Sequence, residues 1–278
     1  LIRRTVVAGR FYPSSRDGLE KELDRCFKVA RKNLNADNLK KEVFFGGISP
    51  HAGYMFSGEV SAGLFSCLDV EKLKKPVFVL LGPDHTGLSL PLAISGADCW
   101  ETPLGMVSVD KELRDITKVL DVFEVDNASH SQEHSLEVQL PFIQYVMNGR
   151  DFTILPVSVS IHNKSSIERA SQSLRKIYSK RGERDVVFIL SSDFSHYVSS
   201  DQARQYDMPA IEKMMNMQAD KLFEYVYNNN ITICGISPIL LFTYAFSDKV
   251  KGELLEYTDS SRAQAADKVV AYASIIYR

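Results

Sequence analysis

The sequence predicts a layered α/β fold, a single domain over residues 1–278 built around a largely parallel or mixed sheet, and two observations carry that prediction. Short apolar runs at residues 43–48, 77–81, 152–159 and 186–190 are rich in Val, Ile, Phe and Leu and do not alternate with polar residues. Strands of that kind are covered on both faces, as in a mainly parallel sheet. Between the runs lie stretches with helical spacing, at residues 19–30, 58–68, 111–120, 135–147 and 167–178, and farther on at 201–217 and after Cys234-Gly235-Ile236-Ser237-Pro238. Strand and helix therefore alternate.

Each element has its own reason. The run 77–81 is Val-Phe-Val-Leu-Leu, too short for a helix of ordinary length and bounded by Pro76 and Gly82. Residues 17–32 intersperse charges of both signs, the pattern of a solvated helix face. Pro141 breaks, kinks or starts the helix expected at 135–147. Residues 268–277 read as a last strand, paired with 253–257. The polar stretches 33–38 and 180–184 read as ordinary connections, and no linker parts two domains.

Composition narrows the function. The 278 residues are 45% hydrophobic and 24% charged, with a formal net charge of -2, so nucleic acid is not the expected partner, because phosphate binding needs a surplus of Lys and Arg. No apolar stretch reaches the roughly 20 residues that span a bilayer, and residues 1–5 lack the apolar core of a signal peptide. A cytoplasmic, reducing location is the expectation. The four cysteines, Cys26, Cys67, Cys99 and Cys234, show no CxxC spacing and no disulfide framework.

Chemistry is concentrated at three strand ends. Run 43–48 leads into Ser49-Pro50-His51-Ala52-Gly53-Tyr54, run 77–81 into Gly82-Pro83-Asp84-His85-Thr86-Gly87, and run 186–190 into Ser191-Ser192-Asp193-Phe194-Ser195-His196. In open α/β sheets ligands bind beyond the carboxyl ends of the strands. If the three strands are parallel neighbours, His51, His85 and His196 converge there, joined by Asp84 and Asp193. A fourth candidate is Glu133-His134-Ser135-Leu136-Glu137, where His134 and Glu137 share a helix face if the helix starts there. Two readings stay open for that pair: an acid beside a histidine that orients a ligand or relays a proton, or an acidic first turn that stabilises the helix. His130 and His162 lie in polar sequence and read as surface residues. Cys26 and Cys67 fall on apolar helix faces and read as core, and Cys99 beside Trp100 reads as packing. Cys234 precedes a helix, where the local field favours thiolate. A hydrolase reading of Ser191, Asp193 and His196 lacks a G-x-S-x-G elbow.

These motifs, in this order from Ala8-Gly9-Arg10-Phe11-Tyr12 to Tyr272-Ala273, resemble the Memo family over nearly the whole chain. The resemblance implies an α/β/α sandwich similar to the LigB type of class III extradiol dioxygenases, which use non-haem iron(II). It implies metal ligands at His51, His85 and Cys234, with Asp193 and His196 as acid/base groups beside them and His134 on the pocket wall. It further implies iron(II) or copper, with zinc also suited, acting in redox or dioxygenase-like chemistry on an unknown small molecule. Cysteine in place of the dioxygenase carboxylate makes the site softer and favours copper(I) or zinc. A second reading of the sequence is a non-catalytic binding or adaptor protein with a vestigial pocket, and the resemblance implies company with AMMECR-type and radical SAM proteins. The animal member binds phosphotyrosine peptide through aromatic residues, whose matching positions here are Phe11 and Phe56, without the polar tips.

Overall fold

The computed structural model describes residues 1–34, 41–118, 120, 122–182 and 184–278. The connection expected at 33–38 lies mostly outside them, as do single positions in the stretches 111–120 and 180–184. Among the described residues twelve strands join one sheet: β1 (Ile2–Arg3), β2 (Gly46–Ser49), β3 (Val77–Pro83), β4 (Leu92–Ile94), β5 (Cys99–Thr102), β6 (Gly105–Val109), β7 (Glu124–Val125), β8 (Thr153–Val159), β9 (Val186–Ser191), β10 (His196–Val198), β11 (Gly252–Asp259) and β12 (Val269–Tyr277). The helices are α1 (Arg16–Asn33), α2 (Tyr54–Ser66), α3 (Lys111–Thr117), α4 (Ala128–Ser131), α5 (Leu140–Met147), α6 (Lys164–Ser179), α7 (Ser200–Met215), α8 (Ala219–Asn228) and α9 (Ile236–Phe246).

The centre of the sheet is parallel, in the order β2, β9, β3, β8. Ile48 and Leu81 both pair with Leu190, so three strands reach their carboxyl ends at one level. On the other side of β2, strand β12 is antiparallel, and it pairs antiparallel with β11 as expected. The sheet is mixed at both margins.

Alternate side chains of the central strands enter opposite cores, which is why their sequences are apolar throughout. Val79 and Leu81 of β3, Phe188 and Leu190 of β9 and Val157 of β8 pack with Leu174 of α6, Ile211 of α7, Leu222 of α8 and Leu240 of α9. Phe78, Leu80, Val187 and Ile189 pack on the other face with Leu23 of α1, Leu64 of α2 and Phe142 of α5. Two helix layers therefore enclose the sheet. No helix of the described residues is long and apolar enough to cross a membrane.

Some boundaries and elements differ from expectation, and the first expected strand, 43–48, is observed as Gly46–Ser49. Helix α2 starts at Tyr54 rather than at residue 58, with Tyr54 and Ser57 of its first turn buried and Met55 exposed. The stretch 135–147 is a 3-10 turn, Glu137–Gln139, followed by α5, with Pro141 in the first turn where its missing N–H costs nothing. Helix α8 and the β5–β6 hairpin were not expected.

The amino-terminal residues are fastened to this frame by one buried carboxylate. Glu137 is fully buried and accepts from the Arg3 guanidinium, the backbone N–H groups of Val6 (2.9 Å) and Val7 (3.1 Å) and the Tyr12 hydroxyl (2.6 Å). Removing one member of a buried pair strands the other's charge, so Glu137→Ala is expected to lower stability by about 3–5 kcal/mol. Urea unfolding followed by circular dichroism measures it.

Candidate metal centre

Each candidate ligand arrives from a strand end or a helix start. The turn after β2 carries His51, the turn after β3 carries His85, and the turn before α9 carries Cys234. One ligand atom from each of the three lies within 4.8 Å of the other two. Cys234 Sγ is 3.1 Å from His51 Nε2, and the two imidazoles stand edge to face with centroids 5.0 Å apart. Two glycines make the close approach feasible. A Cβ at Gly235 would sit 2.4 Å from the backbone oxygen of Ser191, and one at Gly82 would meet Leu136 Cδ2 at 2.6 Å and Ser135 Oγ at 2.8 Å.

Hydrogen bonding behind the rings sets their tautomers. The Ser191 hydroxyl donates to the Ser135 carbonyl (2.7 Å) and accepts from Gln139 Nε2 (3.0 Å). A hydroxyl has one proton, so toward His51 Nδ1 at 2.9 Å it must accept. His51 therefore carries its proton on Nδ1 and turns the Nε2 lone pair toward Cys234. His85 Nδ1 faces Glu133 Oε1 at 2.9 Å and donates to it, since a carboxylate only accepts. Glu133 also accepts the backbone N–H of His85 (2.6 Å) and of Ser135 (2.8 Å).

Burial, helped by the nearby His85 and His134, holds the His51 ring well below the ordinary histidine value and keeps it neutral. Burial works against the His85 cation, but the Glu133 carboxylate outweighs it and raises the ring. Burial likewise opposes the Glu133 charge, yet His85 holds that carboxyl well below the usual range. Burial, with Asp193 adding, pushes the Cys234 thiol well up, so without an ion the sulfur carries a proton that it can donate to His51 Nε2.

The remaining expected residues lie around this point. Asp193 is buried, accepts the His51 backbone N–H at 2.8 Å and donates its own N–H to Cys234 Sγ at 3.1 Å. Burial pushes its carboxyl up to about 6 against that His51 hydrogen bond. The His134 ring stands 4.7 Å from that of His85 and 5.5 Å from that of His51, with the Phe11 ring tilted against it at 4.7 Å, and burial lowers it to about 4. His196 donates Nδ1–H to the Thr232 carbonyl (3.0 Å) and its backbone N–H to Thr232 Oγ1 (2.9 Å).

Several readings are corrected. Asp84 does not join the cluster: its carboxylate ties the 84–89 loop through the N–H groups of Thr86, Gly87 and Ser89. Glu137 is not the partner of His134, because it is consumed by the amino-terminal segment, and the carboxylate at the site is Glu133. His130 is buried, with Nε2 against the Ala93 carbonyl and its ring 5.6 Å from Trp100, whereas His162 is exposed as expected. Cys26 and Cys67 are core residues. The hydroxyls of Ser191, Ser192 and Ser195 donate to Ser135, Asp193 and Asp207, so none is poised as a nucleophile. Sequence reasoning missed Ser191, Gln139 and Glu133 as supports.

Fold and site together define an α/β protein with a two-histidine, one-cysteine candidate metal centre at the carboxyl edge of a parallel sheet. A family model described as Memo-like protein matches residues 3–276. A MEMO1 family protein of Methanosarcina barkeri is 38% identical over 280 residues, covering 99% of each chain, and one of Pyrococcus furiosus is 36% identical over 301 residues, covering 100% of this chain and 99% of its own. The chain belongs to the Memo family. Its fold is also similar to that of the uncharacterized protein JW3007 of Escherichia coli K12, with a TM-score of 0.51 at 10% identity over 74% of this chain and 88% of that one.

Nitrogen-detected NMR of the metal-free protein is expected to show His51 protonated at Nδ1 and bare at Nε2; the opposite tautomer contradicts the Ser191 argument. Gly235→Ala is expected to displace Cys234 from His51 while the protein remains folded, as read by the His51 ring nitrogen shifts and circular dichroism.

Proposed function

We infer that this Memo-family protein binds one metal ion through His51 Nε2, His85 Nε2 and Cys234 Sγ and serves redox chemistry on a small molecule. The observation that supports this reading is the commitment of both Nδ1 protons to acceptors behind the rings, which leaves the two Nε2 atoms as the free donors in a cluster whose ligand atoms lie within 4.8 Å of one another. The donor set fits the ion on softness: thiolate with imidazole suits copper(I) and zinc, and imidazole also suits iron. Iron or copper, when bound, supplies electron transfer, and zinc would supply only Lewis acidity.

The chain's own groups fit a supporting role. Asp193, with its carboxyl near neutrality, holds or releases a proton beside Cys234. His196 gives Nδ1–H to Thr232, so a neutral ring offers Nε2 as an acceptor. His134 and Phe11 form an uncharged wall that limits water. The half-open side chain of His85, 33% exposed, leaves an approach from solvent.

One observation favours a binding role for the same pocket. Met55, Leu88 and Tyr197, on the segments that follow His51, His85 and His196, are exposed large apolar residues, a type of residue that suits a partner surface. AMMECR-type and radical SAM proteins are the proposed partners, tested by co-purification from native extract.

Metal analysis after anaerobic purification tests the main reading. One equivalent of iron or copper, lost in His51→Ala and in Cys234→Ser, is expected; protein with no affinity for either overturns it. Oxygen uptake with catechol-like substrates separates redox chemistry from binding alone. Because binding must displace the Cys234 proton and the raised His85 proton, affinity is expected to tighten as pH rises from about 6 to 8. Competition titration with a chromophoric chelator reads that slope.

A further inference from the structure

His51 and His85 face the same point but are held by different means. His51 is 2% exposed and is fixed by packing, with a neutral hydroxyl behind it. His85 is the open member of the set, on a loop tied mainly by Asp84, and packing alone does not fix its ring. What does so is the carboxylate of Glu133, itself 1% exposed. One oxygen takes the His85 backbone N–H at 2.6 Å and the other takes the ring Nδ1–H at 2.9 Å. A single side chain thus grips both ends of the same residue and sets the torsions between them.

Resting on the metal-binding reading above, we propose that Glu133 is the positioning residue of this centre: it aims His85 Nε2 at His51 and Cys234 and strengthens that nitrogen as a donor. A carboxylate accepting the far N–H of a ligating histidine fixes ring orientation and raises ligand basicity. Glu133 is itself anchored from outside the pocket. Arg3, 8% exposed, donates to the carbonyls of Glu133 (2.6 Å) and His130 (3.0 Å), with its guanidinium 4.3 Å over the Trp100 ring. A support therefore runs from Trp100 through Arg3 and Glu133 to His85.

The same residues allow a competing use, because atoms of His85, Glu133 and His134 also lie within 4.8 Å of one another. An ion held by Glu133 Oε1 would displace the hydrogen bonds that this oxygen accepts from His85 Nδ1 (2.9 Å) and from Ser135 N (2.8 Å). The geometry favours Glu133 as a support and not as a ligand.

Cobalt(II) titration of the whole chain under anaerobic conditions tests this, with the thiolate-to-cobalt absorption band as a second readout. In Glu133→Gln the amide can accept only one of the two His85 N–H groups. Affinity is expected to fall on the order of 10–100-fold while the thiolate band persists at saturating cobalt, because Cys234 still ligates. The stability control is Asp110→Asn at the opposite end of the sheet, where Asp110 accepts from Arg184 and Thr153; it is expected to lower the unfolding midpoint and leave cobalt affinity unchanged. Should Glu133→Gln not fold, Glu133→Asp keeps the charge but shortens the reach, and an intermediate loss of affinity is expected. Wild-type affinity in a folded Glu133 variant overturns the proposal, and so does a stoichiometry of two ions that drops to one in His134→Ala. No cobalt binding by the wild type overturns the metal reading itself, which is a distinct result.

Discussion

The site depends on one register constraint. Ile48 of β2 and Leu81 of β3 both lie beside Leu190 of β9, so three parallel strands stop together and their turns open onto a shared crevice. A shift of one residue in any of these strands would turn its side chains to the other face and carry its histidine or aspartate out of the group. That register is enforced by burial on both faces, where Val79, Leu81, Phe188 and Leu190 fill one core and Phe78, Leu80, Val187 and Ile189 the other. Packing far from the chemistry thereby decides whether the chemistry is assembled.

On this frame two polar groups behind the rings each serve several partners. Ser191 serves Ser135, Gln139 and His51 at once, and Glu133 serves His85 at two atoms and Ser135 at a third. A buried hydroxyl or carboxylate left partly unpaired would be costly, so these networks are rigid. They also point one way: every proton donated to the back of a ring leaves a lone pair at its front. The raised Cys234 thiol completes a set that is neutral or protonated alone and becomes a strong donor set only when protons leave.

Much of this was legible in the sequence, for physical reasons that can be named. The central strands showed because burial on both faces leaves no polar residue in Val77–Leu81 or Val186–Leu190. His51 and His85 showed because each follows such a run directly. Cys234 rested on resemblance more than on spacing. Glu133 is hidden as a partner in the sequence because it reaches His85 across 48 positions, a contact that no local pattern encodes, whereas the three-residue spacing of His134 and Glu137 mimics a pair. His130 looked exposed beside Ser129 and Ser131, yet Trp100 and the strand carrying Ala93 cover it. Helix α8 carries a helical signal in Leu222 and Val226, four apart and both buried.

The measurement closest to the central claim is X-ray absorption at the metal edge of protein loaded with zinc or copper. The account predicts a shell containing one sulfur at about 2.3 Å and two imidazole nitrogens at about 2.0–2.1 Å. A shell of oxygen and nitrogen without sulfur would contradict it, because the convergence of Cys234 with His51 and His85 is the feature on which the proposed chemistry stands.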